Sequence, residues 1–261
     1  MQAVLSIAGS DSSGGAGIQA DIKTIAAHKL FAETVITALT AQNTTGVRDV
    51  LNATPQFVTE QLDAVFEDIP PQAVKIGMVS QVEIIQAIAE GLRAHQAKNI
   101  VVDPVMVATS GSRLIDEGAQ NALVSSLFPL ADVITPNLPE AEALMGRTIA
   151  TEEQMEQAAR ELAAQVGAVV LIKGGHLSDA ADDVLGFPDG RVRWYRAPHI
   201  ATDNTHGTGC TLSSAIACGL AKGLSVEEAI NQAKTYVRGA LSAGLDLGHG
   251  SGPLDHMWAY E

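Results

Sequence analysis

The segment Gly207-Thr208-Gly209-Cys210, running into Thr211-Leu212-Ser213-Ser214-Ala215-Ile216-Ala217, joins a glycine turn to a helix of small residues. Glycines let successive backbone N–H groups converge, and a helix N-terminus adds positive potential. The N–H groups of Gly207, Thr208, Gly209 and Cys210 would then form an anion hole for a phosphoryl group in transfer. A thiol placed there is expected to ionise more readily than a free cysteine, which makes Cys210 a candidate acid/base group or nucleophile. The same residues also suit a structural role, a helix start packed tightly on a sheet with Cys210 as a small buried hydrophobe.

Residues of this kind act only if a scaffold points them at one place. The chain alternates short β-rich runs with longer helical stretches, beginning with a strand over Ala3 to Ala8, a Gly-rich loop and a helix from Ala16 to about His28. Further strands are expected over Thr34 to Leu39, Val74 to Gly77, Ile100 to Asp103, Val133 to Thr135 and Val169 to Lys173. Helices are expected over Thr54 to Glu67, Ser80 to His95, Ile115 to Leu127, Thr151 to Val166, His206 to Ala221 and Ser225 to about Leu245. Unbroken apolar strands such as Ile100-Val101-Val102 and Val169-Val170-Leu171-Ile172 imply burial on both faces. The expectation is an α/β fold, a mostly parallel central sheet flanked by helices on both faces. Asp182 to Phe187 and Arg191 to Arg196, around Pro188-Asp189-Gly190, read as a small hairpin at one sheet edge. No linker or repeat interrupts the chain, so residues 1–261 are read as one domain.

In open parallel sheets ligands bind beyond the carboxyl ends of the strands. Those positions here are polar or glycine-rich: Gly9-Ser10-Asp11, Gln42-Asn43, Met78, Asp103-Pro104-Val105, Asn137 to Glu140, Lys173-Gly174-Gly175-His176 and Thr205 to Cys210. The formal net charge of −14, with 16 Lys and Arg, gives no electrostatic support for a nucleic acid or an anionic membrane as partner. An anionic substrate must be held locally, by N–H groups, a lysine or two and a metal ion. Cys210 and Cys218, eight residues apart on one helix, would stand roughly 12 Å from each other and out of disulfide reach. Two unpaired thiols and the lack of an export signal or apolar span point to the cytoplasm.

Together with Asn137-Leu138-Pro139-Glu140 and the Gly14-Gly15 pair, the Gly207 to Cys210 segment resembles the ribokinase-type carbohydrate and vitamin kinase superfamily. The sugar kinases of that group carry an aspartate base where this chain has Cys210, as in the vitamin-kinase branch. The opening Ile7-Ala8-Gly9-Ser10-Asp11 through Asp21, Thr40-Ala41-Gln42-Asn43, Lys75-Ile76-Gly77-Met78 and Asp103-Pro104-Val105-Met106 resemble the bacterial hydroxymethylpyrimidine and hydroxymethylpyrimidine phosphate kinases of thiamine biosynthesis, over nearly the whole chain. The resemblance implies a ribokinase-like fold, ATP and Mg²⁺, phosphorylation of the hydroxymethyl group and then of the monophosphate, and a homodimer.

The residue roles it implies agree with their chemistry. Gln42 can accept from an exocyclic amine and donate to the adjacent ring nitrogen of a 4-aminopyrimidine. It could equally satisfy loop backbone at a strand end. Met78 and Val105, which ordinary core packing would explain equally well, would sandwich the flat ring, and Gly9, Asp11, Ala16 and Asp21 would complete the substrate wall, with Asp21 either approaching the reacting hydroxyl or simply solvated inside the first helix. Asn137 and Glu140, three apart at a helix opening, would serve phosphate and hydrated Mg²⁺. The pair is also what an ordinary helix cap looks like. Asp103 is assigned to the metal region through water, because an unpaired buried carboxylate costs several kcal/mol. Lys173 and Thr208 are assigned to ATP, Lys173 as the cation for its phosphates.

Three other classes fit parts of the chain. Gly15 to Ala20 has the G-x-G-x-x-A spacing of a dinucleotide-binding turn, but it lies well past the first strand, and the second strand leads into Gln42 without a ribose-binding acid. A periplasmic-type binding module is disfavoured by the free cysteines. A cysteine hydrolase needs a histidine beside Cys210, for which His206 is the nearest in sequence. Within the kinases, a pyridoxal kinase is the alternative reading.

Overall fold

The computed structural model describes residues 1–106, 115, 117–174 and 181–260. Its main sheet contains β1 (Ala3–Ala8), β2 (Phe31–Ile36), β5 (Ala73–Ile76), β6 (Ile100–Val102), β7 (Val133–Ile134), β8 (Val169–Ile172), β9 (Asp183–Gly186) and β10 (Val192–Tyr195). The order is β10-β9-β8-β7-β6-β5-β1-β2. The pairs from β2 to β8 are parallel; β9 and β10 are antiparallel and form the edge hairpin expected around Pro188-Asp189-Gly190.

Strand side chains alternate between two cores, as the period of two requires. Leu5, Ile7, Val74, Ile76, Val102, Ile134 and Val170 join one core, against α2 (Pro55–Asp68), α3 (Val82–Ala94), α4 (Glu117–Ala122), α5 (Leu138–Met145) and α6 (Glu152–Val166). Val4, Ala73, Val101, Val133 and Leu171 join the other, against α1 (Gly17–Ala27), α7 (Thr208–Ala221) and α8 (Val226–Ser242). Burying each larger aliphatic side chain contributes about 2 kcal/mol. Thr54, Asn137 and Ser225 cap α2, α5 and α8, each accepting the N–H three residues on.

Two expectations change. The strand expected over Thr34 to Leu39 is divided: β2 stops at Ile36, where the Thr37 hydroxyl donates to the Met78 carbonyl at 3.0 Å, and the chain leaves the sheet. Beyond it, β3 (Ala38–Asn43) and β4 (Gly46–Asn52) form a separate two-stranded antiparallel hairpin, bulged between Ala41 and Gln42. The helix expected over Ile115 to Leu127 is α4 continued by a π-helical turn, Leu123–Leu127; Asp116 lies outside the described residues.

Glu33, on edge strand β2, is buried, and among the described residues its Oε2 has no partner. Burial pushes its carboxyl up from 4.5 to about 7. Between those values the unfolded chain has released this proton and the folded chain keeps it, so stability falls as pH rises through the window. Glu33→Gln is therefore expected to stabilise the fold by about 1–2 kcal/mol at pH 8 and by little at pH 4, read by urea unfolding. Equal effects at both pH values contradict this.

Candidate active site

A cavity of about 680 Å³ opens at the carboxyl ends of the parallel strands. Gly9, Asp11 and Ala16 reach it from the loop after β1, and Gln42 from the β3–β4 hairpin. Met78 follows β5; Asp103 and Val105 follow β6; Asn137 and Glu140 follow β7; Lys173 follows β8. Gly207, Thr208, Gly209 and Cys210 close it from the start of α7. Gly175 and His176 lie outside the described residues.

The start of α7 differs from those of α2, α5 and α8. No side chain caps it, and the first helical bond is Thr211 N–H to Gly207 O at 2.9 Å. Gly209 and Cys210 line the cavity, and among the described residues their N–H groups have no backbone acceptor. Gly207 has φ +87°, and a Cβ there would strike the Gly15 carbonyl oxygen, so only glycine fits where the turn packs on the first loop. Thr208 corrects the reading in part: its hydroxyl donates to Thr205 O at 2.8 Å and closes the turn. A Cβ on Gly209 would lie 3.2 Å from Asp103 Oδ2 and 3.3 Å from Lys173 Nζ, so carboxylate, ammonium and N–H groups converge.

Lys173 Nζ bonds Asp103 Oδ1 at 2.8 Å, and Thr135 Oγ1 donates to the same oxygen at 3.0 Å. Burial alone would lower the lysine's pKa, but the charges of Asp103 and Glu140 outweigh it and hold the ammonium protonated. Asn137 and Glu140 do form a capping box, each side chain bonding the other's backbone N–H at 2.8 Å. The cap and the site coexist. Asn137 Oδ1 is engaged, which leaves its NH₂ group, the polarity a phosphate oxygen needs. Burial, with Asp103 adding to it against the pull of Lys173, pushes the Glu140 carboxyl up to about 7.

Those two carboxylates fit Mg²⁺. Glu140 carries a charge that burial and Asp103 oppose, which a divalent cation would relieve, and among the described residues no cluster of three or more acidic, His or Cys groups could form a protein cage. Mg²⁺ held by one or two carboxylates, waters and phosphate oxygens needs no such cage.

Three sequence expectations are corrected. Cys210 is not an easily ionised thiol: burial raises it to about 11, with Asp21 and Asp103 adding to the rise and Lys75 and the Gly17 N–H opposing it. Desolvation and two acidic neighbours outweigh the helix start. Asp21 does not line the cavity and is not solvated. It is fully buried, bonded to Lys75 Nζ at 2.8 and 2.9 Å, to Ser6 Oγ at 2.5 Å and to Ser214 Oγ at 2.8 Å. Asp11 lines the cavity, but its carboxylate organises the loop: Oδ1 accepts from Ser13, and Oδ2 from Gly15 N, Ala16 N and His206 Nε2. Against the effect of burial, these bonds hold it well below the usual carboxylate range. His206 is engaged with Asp11 at 2.7 Å, and among the described residues no histidine is bonded to Cys210, in line with setting the hydrolase reading aside.

Gln42 is clasped through its backbone, N–H to Ser12 Oγ at 2.9 Å and carbonyl from Ser12 Oγ at 2.7 Å. Among the described residues its side-chain amide is held only by a 3.3 Å contact from Thr40, which leaves it available to read a ligand edge. Part of the cavity lining carries no signal in the sequence. Leu212 on α7, Val237 and Leu241 on α8, Ile200 between β10 and α7, and the basic Lys234 and Arg238 also line the cavity. Scattered aliphatics carry no motif that would have located them.

This fold and site define a small-molecule kinase of the ribokinase-like class. Comparison with known proteins narrows the class. The family described as phosphomethylpyrimidine kinase matches residues 11–255, and the chain belongs to that family. It is 52% identical to the hydroxymethylpyrimidine/phosphomethylpyrimidine kinase of Rhizobium meliloti, over 97% of this chain and 96% of that protein. It spans 53% of the thiamine biosynthesis bifunctional protein ThiED of Geobacter sulfurreducens, at 50% identity over 99% of this chain. Among solved structures it is similar to the phosphomethylpyrimidine kinase of Clostridium difficile, at 46% identity, TM-score 0.82, with 91% of this chain and 98% of that one covered. It is also similar to the ADP complex of Bacillus subtilis pyridoxal kinase, at 37% identity, TM-score 0.92, covering 100% and 99%.

Proposed function

We propose that residues 1–261 act as one kinase domain that transfers the γ-phosphoryl group of ATP to the hydroxymethyl group of 4-amino-5-hydroxymethyl-2-methylpyrimidine, and then phosphorylates the monophosphate to the diphosphate in thiamine biosynthesis. The observation that carries this is the uncapped start of α7, whose Gly209 and Cys210 line one cavity together with Lys173 and the hairpin residue Gln42. Pyridoxal kinase is the alternative, favoured by the likeness to the Bacillus enzyme. The higher identity to the pyrimidine kinases and the loosely held Gln42 amide favour the aminopyrimidine.

The substrate ring lies between Met78 and Val105, with its amine and ring nitrogen on Gln42. The hydroxyl oxygen attacks Pγ in line; the new O–P bond forms as the bond to the β-phosphate oxygen breaks, and ADP leaves. The Gly209 and Cys210 N–H groups, Lys173 and the Asn137 amide hold the negative oxygens in flight. Mg²⁺, held through water by Glu140 and Asp103, would supply the remaining counter-charge. The hydroxyl proton passes to the Cys210 sulfur in its thiolate form and then to solvent. Because the transition state is loose, this transfer comes late and positioning does most of the catalysis.

A proton acceptor whose thiol ionises near 11 is mostly protonated at neutral pH. The expected result is kcat rising with pH from 6 to 9 in the wild type. In Cys210→Ala, kcat is about tenfold lower at pH 8 and the profile is flat. A flat wild-type profile, or full activity in the variant, removes Cys210 from proton transfer. The functional reading itself is tested by substrate-dependent ADP release, expected with the aminopyrimidine and much weaker with pyridoxal. The opposite preference selects the alternative.

The unpaired cysteines support cytoplasmic residence, and among the described residues no helix is long and apolar enough to cross a membrane. A homodimer is supported by Phe31 on edge strand β2 and by Leu39 and Leu51 on the adjoining hairpin, which are 47, 51 and 69% exposed.

A further inference from the structure

Among the described residues the largest fully buried side chain is a lysine. Lys75, on β5, has no exposed surface, and neither has the side chain of its partner Asp21 on α1. The ammonium bonds both carboxylate oxygens, and Asp21 also accepts from Ser6 on β1 and Ser214 on α7. A buried ion pair is weak as a source of stability, since a well-packed apolar pair often does as well. Its position suggests another use. Ser214 stands four residues beyond Cys210, on the same face of α7, so Asp21 is tied to the turn immediately below the thiol. Lys75 ends two residues before Gly77, where a Cβ would lie 2.6 Å from its Nζ, so glycine leaves room for the ammonium at the carboxyl end of β5.

The groups that act on the Cys210 sulfur come from every element around it. Asp21 on α1 and Asp103 after β6 disfavour a negative sulfur; Lys75 on β5 and Lys173 after β8 favour it. Lys173 is shared with Asp103 and, in the proposed function, is drawn onto the phosphates. Lys75 is fully buried and is not among the residues that line the cavity. We propose that Lys75 is a positioning residue for phosphoryl transfer: anchored by Asp21 beneath the start of α7, its ammonium supplies the fixed counter-charge that lets Cys210 exist as a thiolate and take the substrate proton. The assignment rests on the reading of Cys210 as proton acceptor. Burial would lower the ammonium's own pKa, but Asp21 first, then Cys210 and Asp103, raise it, so it stays positive.

The test reads the thiol directly. Iodoacetamide alkylates the thiolate with loss of iodide; Cys210 lines the cavity while Cys218 is fully buried, and peptide mapping assigns the modified residue. The double variant Asp21→Asn/Lys75→Met carries no unpaired buried charge, and thermal melting checks its fold. Its alkylation profile is expected about one pH unit higher than wild type, hence roughly tenfold slower alkylation at pH 8, with kcat down about tenfold and KM for ATP unchanged. Asp21→Asn alone keeps the ammonium and removes its partner, so the profile should move toward lower pH, a sign that a merely structural role does not produce. Profiles that coincide with wild type in both variants overturn the assignment. Displaced profiles with wild-type kcat leave Lys75 coupled to the thiol and overturn instead the proton-accepting role of Cys210.

Discussion

Lys173→Met is expected to lower kcat/KM for ATP about a thousandfold, with kcat reduced and KM for ATP raised, while KM for the pyrimidine changes little. The ammonium stands beside the uncapped start of α7 and next to Asp103 at 2.8 Å, where a transferring phosphoryl group must pass. Removing one preorganised cation or donor from such a site costs about 3–4 kcal/mol of transition-state stabilisation, which is two to three powers of ten in rate. The variant also strands the buried Asp103 carboxylate, so the double change Asp103→Asn/Lys173→Met separates folding cost from catalytic cost. If the double variant recovers the stability of wild type and remains inactive, the loss belongs to the chemistry. If either variant turns over at wild-type rate, Lys173 is not the phosphate cation.

Gln42→Ala should cost about 30- to 100-fold in kcat/KM for the aminopyrimidine and little for pyridoxal. Gln42 would make two hydrogen bonds to the amine and ring nitrogen, and their loss leaves polar atoms of the bound ring unpaired, about 1–3 kcal/mol. Pyridoxal has no such amine to lose. The structure adds a reason to expect a clean result: the hairpin is held at this point through the Gln42 backbone and Ser12, which alanine keeps. Equal losses on both substrates would mean that the hairpin was disturbed rather than that recognition was removed. No loss on either would place the aminopyrimidine elsewhere.

The sheet and its helices were legible because two-faced burial writes continuous apolar runs into the strands, and because capping residues such as Thr54, Asn137 and Ser225 mark helix starts chemically. The strand ends were legible because Asp103, Lys173 and the glycine turn stand out against apolar neighbours. The β3–β4 hairpin was not: half or more of its side chains are exposed or half-exposed, so no buried face imposes a period. Nor was the distinction between residues that line the cavity and residues beneath it. Asp21 sits in the same motif as Asp11 and Ala16, yet the helical turn sends it down to Lys75, a partner 54 residues away. The thiol's ionisation failed for a related reason. A local rule about helix starts captures the dipole, whereas desolvation and the charges of Asp21 on α1 and Asp103 after β6 come from elsewhere in the fold and outweigh it.

The most direct measurement of the central claim is a ³¹P NMR time course of the protein with MgATP and 4-amino-5-hydroxymethyl-2-methylpyrimidine. The account predicts an aminopyrimidine monophosphate signal that grows with ADP, followed by a diphosphate signal as the monophosphate is consumed. ADP and inorganic phosphate formed at the same rate with and without the pyrimidine, and no phosphorylated pyrimidine, would contradict it.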